Sequence, residues 1–112
     1  MFSPGDVVLV NFPGAVETKR RPGIVVSATL YQTHRPDVIV GLLTTQISRA
    51  TTSTDYVLQD WTQAGLHQPT AFRSYLITFA SDDTRHIGHL SERDWQGVQA
   101  CLARALALPA LF

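Results

Sequence analysis

Residues 37–44 read DVIVGLLT. Between the aspartate and the threonine, every position except Gly41 is a branched aliphatic residue. A strand with one wet face alternates apolar and polar residues; this run does not. Its length and β-branched content favour a strand over a helix, and its continuity means burial on both sides. Two stretches upstream share the pattern: DVVLVNF at 6–12 and GIVVSAT at 23–29. Three such strands belong in a closed barrel core or beneath a second layer.

Working outward, Pro13 and Gly14 make a turn after the first strand. Residues 54–59 form a weaker fourth strand. Residues 72–79 (FRSYLITF) form a fifth, with Phe72, Ser74, Leu76 and Thr78 on one face, and residues 85–90 a short sixth. The C-terminus changes period. Ser91-Glu92-Arg93-Asp94 has the form of a capping box, in which the serine accepts from the third helical amide and the acid reaches back. Trp95, Val98, Leu102 and Ala105 then recur at three- and four-residue steps, and Pro109 ends the pattern. The fold class expected is mainly β: a small barrel with one amphipathic C-terminal α-helix packed on the sheet, a single domain over residues 1–112.

The composition suits this. The chain has 112 residues, 45% hydrophobic and 16% charged, enough to bury a core. A domain this small buries only about two-thirds of its unfolded surface, so extra apolar surface invites a second copy or a partner. Nine basic and nine acidic side chains cancel. A nucleic-acid site must then be a local basic patch, not a general excess of charge. Cys101, the one cysteine, excludes an intrachain disulfide and a cysteine metal cluster, and reads as a buried packing thiol. The start, MFSPGD, lacks the basic and apolar segments of a signal peptide, and no apolar run spans a bilayer. A cytoplasmic protein is expected.

Chemistry has few places to sit. The loop PGAVETKRRP (13–22) gathers Glu17, Lys19, Arg20 and Arg21. It reads either as a solvated basic loop or as a phosphate-binding patch. Pro22 pushes Arg21 toward extended geometry and holds it at the mouth of a strand. A guanidinium fork suits two phosphate oxygens. The second place is the polar end of the third strand, Thr44-Thr45-Gln46. Hydroxyls there either cap the strand or face a cleft. His34, His67, His86 and His89 are scattered at spacings unlike a zinc site, so no metal is expected. His86 and His89 read as surface residues. No cofactor motif, Gly-rich phosphate loop or nucleophile elbow occurs.

Taken in order, GDVVLVNFPG (5–14), KRRPGIVVSA (19–28), DVIVGLLTTQI (37–47) and IGHLSERDWQGVQACLARALAL (87–108) resemble the MazF/PemK family of bacterial toxins. The similarity runs over nearly the whole chain and lies in order and spacing, not in one motif. It implies a CcdB/MazF-type barrel related to SH3 barrels, a homodimer, a cognate antitoxin partner, and cleavage of single-stranded RNA with no metal or cofactor. By the same resemblance, Arg21, the arginine before proline, is catalytic. So is Thr44, which closes the third strand. Glu17 matches an acid of the first loop, and Pro69-Thr70 a Pro-Ser pair whose hydroxyl faces the cleft. Ala28 stands where the family often has a polar residue.

The implied reaction is attack of a ribose 2′-hydroxyl on the adjacent phosphorus, giving a 2′,3′-cyclic phosphate and a 5′-hydroxyl. Arg21 would stabilise the phosphorane and Thr44 would hold the phosphate in line. Lys19 and Arg20 would grip neighbouring phosphates. Glu17 or a proton relay would take the proton, because arginine is a poor base at neutral pH. Thr45, Gln46, Thr70 and Arg73 are candidate RNA contacts, and Phe12 and Tyr75 also lie within reach of the groove. Two rivals keep the fold: a CcdB-like toxin that binds DNA gyrase, and an inactive SH3-like binding module.

Overall fold

The computed structural model describes residues 1–14 and 17–109. Strand β1 covers Asp6–Pro13 and β2 covers Thr18–Val25; a short helix α1, Thr29–Thr33, precedes β3, Asp37–Thr44. Strands β4 (Asp55–Val57), β5 (Ala71–Ala80) and β6 (Arg85–His89) follow, and helix α2, Glu92–Ala105, comes last. The strands form one six-stranded sheet in the order β4-β5-β3-β2-β1-β6, with every neighbouring pair antiparallel.

The continuous apolar runs are explained by two cores, one on each face of this sheet. Alternation sends Val7, Ile24, Leu43 and Phe72 to an outer face, where Val98 and Cys101 of α2 and Leu58, Ala64 and Leu66 of the β4–β5 connection cover them. It sends Val8, Val10, Phe12, Val25, Val38 and Val40 to an inner face, with Phe2, Ile77 and Phe79 packed beside them. Each fully buried Val or Leu is worth about 1.5–3 kcal/mol, so both layers hold the sheet in shape. The inner face is concave. Strands β1 and β5 are three steps apart in the sheet, about 14 Å if it were flat. Yet the rings of Phe12 and Phe79 meet edge to face with centroids 5.2 Å apart. The sheet therefore curls into a barrel with Phe12 near its open end.

Three expectations need correction. The second strand runs Thr18–Val25, not Gly23–Thr29. Its exposed cationic half is held by backbone pairing with β1, out to Pro13↔Thr18, which needs no apolar side chains. Its far end stops because the Ser27 hydroxyl accepts the Ile39 N–H at 3.1 Å in place of a backbone carbonyl. The chain then turns into α1, whose Gln32 clasps the backbone of Phe2 through both amide atoms, at 2.9 and 2.6 Å. Second, Ser91 caps α2 by accepting from the Asp94 N–H, but Asp94 does not reach back. Its buried carboxyl instead accepts from the Tyr56 hydroxyl (2.8 Å), Gln59 N–H (3.0 Å) and Asp60 N–H (2.8 Å). Third, α2 ends at Ala105, which is exposed, rather than running to Pro109. Ala107 takes φ 56° and the Leu108 N–H returns to the Ala103 carbonyl, a Schellman-type stop.

Candidate functional site

The open end of the barrel is built where β2 rises past the end of its pairing with β3. That ladder covers Gly23↔Leu42 to Val25↔Val40. Counting on in the same register puts Arg21 opposite Thr44, and alternation gives both the inner face shared by Gly23 and Leu42. Pro22, which has no N–H to donate, is the residue just before the ladder begins. Gly23, lacking a side chain, lets β3 and Val40 pack close against β2 two residues below Arg21. A Cβ there would stand 2.4 Å from Val40 Cγ1 and 3.4 Å from the Phe12 ring.

A cavity of about 350 Å³ lies at this end. Glu17, Lys19 and Arg21 form its charged wall, and Phe12, Leu42 and Tyr75 its apolar floor. Lys19 and Arg21 are two residues apart on one strand and so share a side. Among the described residues neither is in an ion pair. Two cations in no ion pair and one exposed carboxylate leave the cavity wall net positive, a receptor for an anion with a proton acceptor on the same wall. The Thr44 hydroxyl accepts from the Gln46 N–H at 3.1 Å, which fixes its oxygen and leaves its own proton for another acceptor.

The other candidates separate. Arg20 points to the opposite face of β2, where its Nη1 donates to Asn11 Oδ1 at 3.4 Å across the hairpin. Thr45 and Thr70 line a cavity on the outer face, with Pro22, Leu66 and Ile87. Thr70 is buried, and its hydroxyl donates to the Gln68 carbonyl at 2.8 Å. Gln46 is exposed at the start of a 3-10 turn, Ile47–Arg49. Arg73 lies on the inner side, in a second cavity of about 390 Å³ that shares Leu42 and Tyr75 with the first. Its Nε is 3.5 Å from Asp55 Oδ1. Asp55 carries no signal in the sequence, because it joins this surface only through the pairing of β4 with β5.

Elsewhere, burial raises the pKa of the Cys101 thiol, which makes it a poor nucleophile. His86 and His89, half-exposed, both approach Asp6 Oδ1, at 3.5 and 2.8 Å, on the β1–β6 side of the sheet. Among the described residues no three His, Cys, Asp or Glu side chains gather as a metal site. No helix of the described residues is long and apolar enough to cross a membrane.

Residues 3–106 match a family model described as the PemK-like, MazF-like toxin of type II toxin–antitoxin systems. A search of curated sequences gave no match. Among solved structures, the chain is similar to an endoribonuclease in complex with its cognate antitoxin from a mycobacterial species. The TM-score is 0.78 at 22% identity, covering 98% of this chain and 99% of that one. It is also similar to the Mycobacterium tuberculosis toxin MazF-mt6, with TM-score 0.75, 20% identity and 94% and 99% coverage. A MazE–MazF complex from Deinococcus radiodurans gives TM-score 0.72, 15% identity and 96% and 97% coverage.

Proposed function

Because the chain belongs to the PemK-like, MazF-like toxins of type II toxin–antitoxin systems, we propose that it cuts single-stranded RNA at the barrel's open end, through Arg21 and Thr44. The supporting observation is the pair of cations in no ion pair, Lys19 and Arg21, over one cavity at the barrel's open end, with Thr44 reached by extending the β2–β3 register. RNA supplies its own nucleophile, the 2′-hydroxyl, so the protein has to align the attack and stabilise the charge that builds on phosphorus. Arg21 donates to the non-bridging oxygens, and one such donor is worth about 3 kcal/mol of barrier. Thr44 donates its free proton to the same phosphate and holds it in line. Lys19 binds a flanking phosphate. Glu17, on the wall of the same cavity, accepts the proton of the 2′-hydroxyl. As the 2′-oxygen bonds to phosphorus the P–O5′ bond breaks, and the departing 5′-oxygen takes a proton from solvent water, so the products are a 2′,3′-cyclic phosphate and a 5′-hydroxyl, and no step calls on a metal.

The toxin works in the cytoplasm, where its RNA is, as a homodimer restrained by a cognate antitoxin. The solved relatives held by antitoxins support that partner. An acidic antitoxin segment would compete with RNA for Lys19 and Arg21. The test is incubation of purified protein with end-labelled RNA in EDTA, beside Arg21→Ala. Cleavage that survives EDTA and disappears in the variant is expected. Equal cutting by both would mean a contaminating nuclease, and intact RNA with tight gyrase binding would turn the reading to a CcdB-like toxin.

A further inference from the structure

The two inner cavities meet over Leu42 and Tyr75. In the pairing of β3 with β5, Gly41↔Leu76 is followed by Leu42↔Arg73, so Ser74 and Tyr75 have no partner and form a bulge. The bulge is locked: the Ser74 hydroxyl donates to the Thr54 carbonyl at 2.8 Å. Tyr75, within β5, is thereby left without a cross-strand partner on β3. The Tyr75 side of the ring pair with Phe12 is held edge to face, centroids 6.2 Å apart and planes at 75°, yet the residue stays 51% exposed. A half-exposed aromatic ring set against Phe12 beside a cationic cavity is the form of a base-stacking platform.

The far cavity has different chemistry from the first. Its guanidinium, Arg73, lies with Nε beside Asp55 Oδ1 at 3.5 Å. Asp55 is itself fixed, accepting from the Thr52 N–H at 3.2 Å and the Thr52 hydroxyl at 2.9 Å. Its side chain is 4% exposed against 43% for that of Arg73. The carboxylate thus offsets part of the cation's charge, which suits a phosphate poorly. It leaves the N–H groups of the two terminal nitrogens, a pair of parallel donors. Guanine offers two adjacent acceptors, O6 and N7, on one edge; adenine and cytosine put an amino donor there.

From this we propose that Tyr75 and Arg73 form a base subsite next to the scissile phosphate, in which a guanine stacks on Tyr75 and is read by Arg73. The inference rests on the ribonuclease reading and adds the residues that set its sequence preference. Asp55 is a positioning residue within it.

The experiment uses oligoribonucleotides that vary one base at a time around the cut, carrying guanosine, 7-deazaguanosine or adenosine. The wild type should prefer guanosine at one fixed position, and losing N7 there should lower kcat/KM about tenfold. Arg73→Gln should level the three substrates. Tyr75→Leu should raise KM about 10- to 100-fold with kcat nearly kept, and Tyr75→Phe should behave as wild type. A fold defect would instead lower kcat and the melting temperature. If Tyr75→Leu melts early, Tyr75→Phe and the base analogues on the wild type decide. A wild type that cuts RNA while treating guanosine, 7-deazaguanosine and adenosine alike at every position overturns the subsite. So does an unaltered KM and cut pattern in a folded Tyr75→Leu. A wild type that cuts no RNA overturns the ribonuclease reading itself.

Discussion

Arg21 pairs with Val10 across the β1–β2 hairpin, which sets it on the inner face and over the cavity at the barrel's open end, and extending the Gly23↔Leu42 register by two residues leads to Thr44. Arg21 and Thr44 are distant in sequence, and only an extension of the antiparallel register beyond its last pair brings them opposite. If both grip one phosphate, their losses must overlap. Thr44→Val removes a hydroxyl from a nearly isosteric side chain and should lower kcat about 10- to 100-fold with the fold intact. Arg21→Ala should cost about 100- to 1,000-fold. The double variant should lose much less than the product of the two. Single-turnover cleavage rates of the four proteins check this; full additivity would separate the two residues.

The sidedness of β2 gives a second prediction. Lys19 lines the cavity, whereas Arg20 turns away to Asn11. On single-stranded RNA each neutralised phosphate contributes about −0.7 to the slope of log K against log salt. Lys19→Ala should flatten that slope by about 0.7, and Arg20→Ala should hardly change it. Fluorescence anisotropy on an oligonucleotide with a 2′-deoxy residue at the cut measures both. Equal slopes for the two variants would contradict the sidedness.

The contrast marks how far the sequence could be read. Hydrophobic period gave the strands of the barrel, β3 to the residue, because burial on both faces leaves an unbroken aliphatic run. It missed the cationic half of β2, since backbone pairing held those residues without apolar side chains. The side each loop residue takes was hidden too: Lys19, Arg20 and Arg21 are alike in charge, and only the register divides them. Thr70 matched a motif by order, yet the structure buries it toward the outer face. The bulge that presents Tyr75 depends on how β3 and β5 pair, a long-range fact with no local residue signal.

Gly97 illustrates the same limit and yields a test of sign. In a helix interior, Gly→Ala ordinarily stabilises by about 1 kcal/mol. In α2, a Cβ at residue 97 would lie 2.2 Å from Cε1 of Tyr56 and 2.4 Å from its Cζ. The ring cannot retreat without giving up its bond to Asp94, which also holds the Gln59 and Asp60 amides. Gly97→Ala should therefore destabilise, by about 1–3 kcal/mol, as overpacking does. Urea denaturation measures it, and a stabilised variant would show that α2 is not pressed against Tyr56.

The start of α2 is also tied by charge, which makes a stability difference depend on pH. Arg93 donates through Nε and Nη2 to the two carboxylate oxygens of Asp60, both at 2.7 Å, and the Ser91 hydroxyl adds a third donor. Hydrogen bonding to Arg93 first, and to Ser91 second, lowers the Asp60 pKa from 3.8 to about 2. A carboxyl depressed on folding stabilises the protein above its unfolded value, and the benefit fades as pH falls toward the folded one. The stability gap between wild type and Asp60→Asn should be constant at pH 6–7, shrink from about pH 5 downward, and be gone only near pH 1, below both the unfolded and the folded values. Paired denaturation curves across that range measure it. A gap that stays level through pH 3 would mean that Asp60 carries no ionic tie to Arg93, and that the serine cap and Asp94 alone fix the helix start.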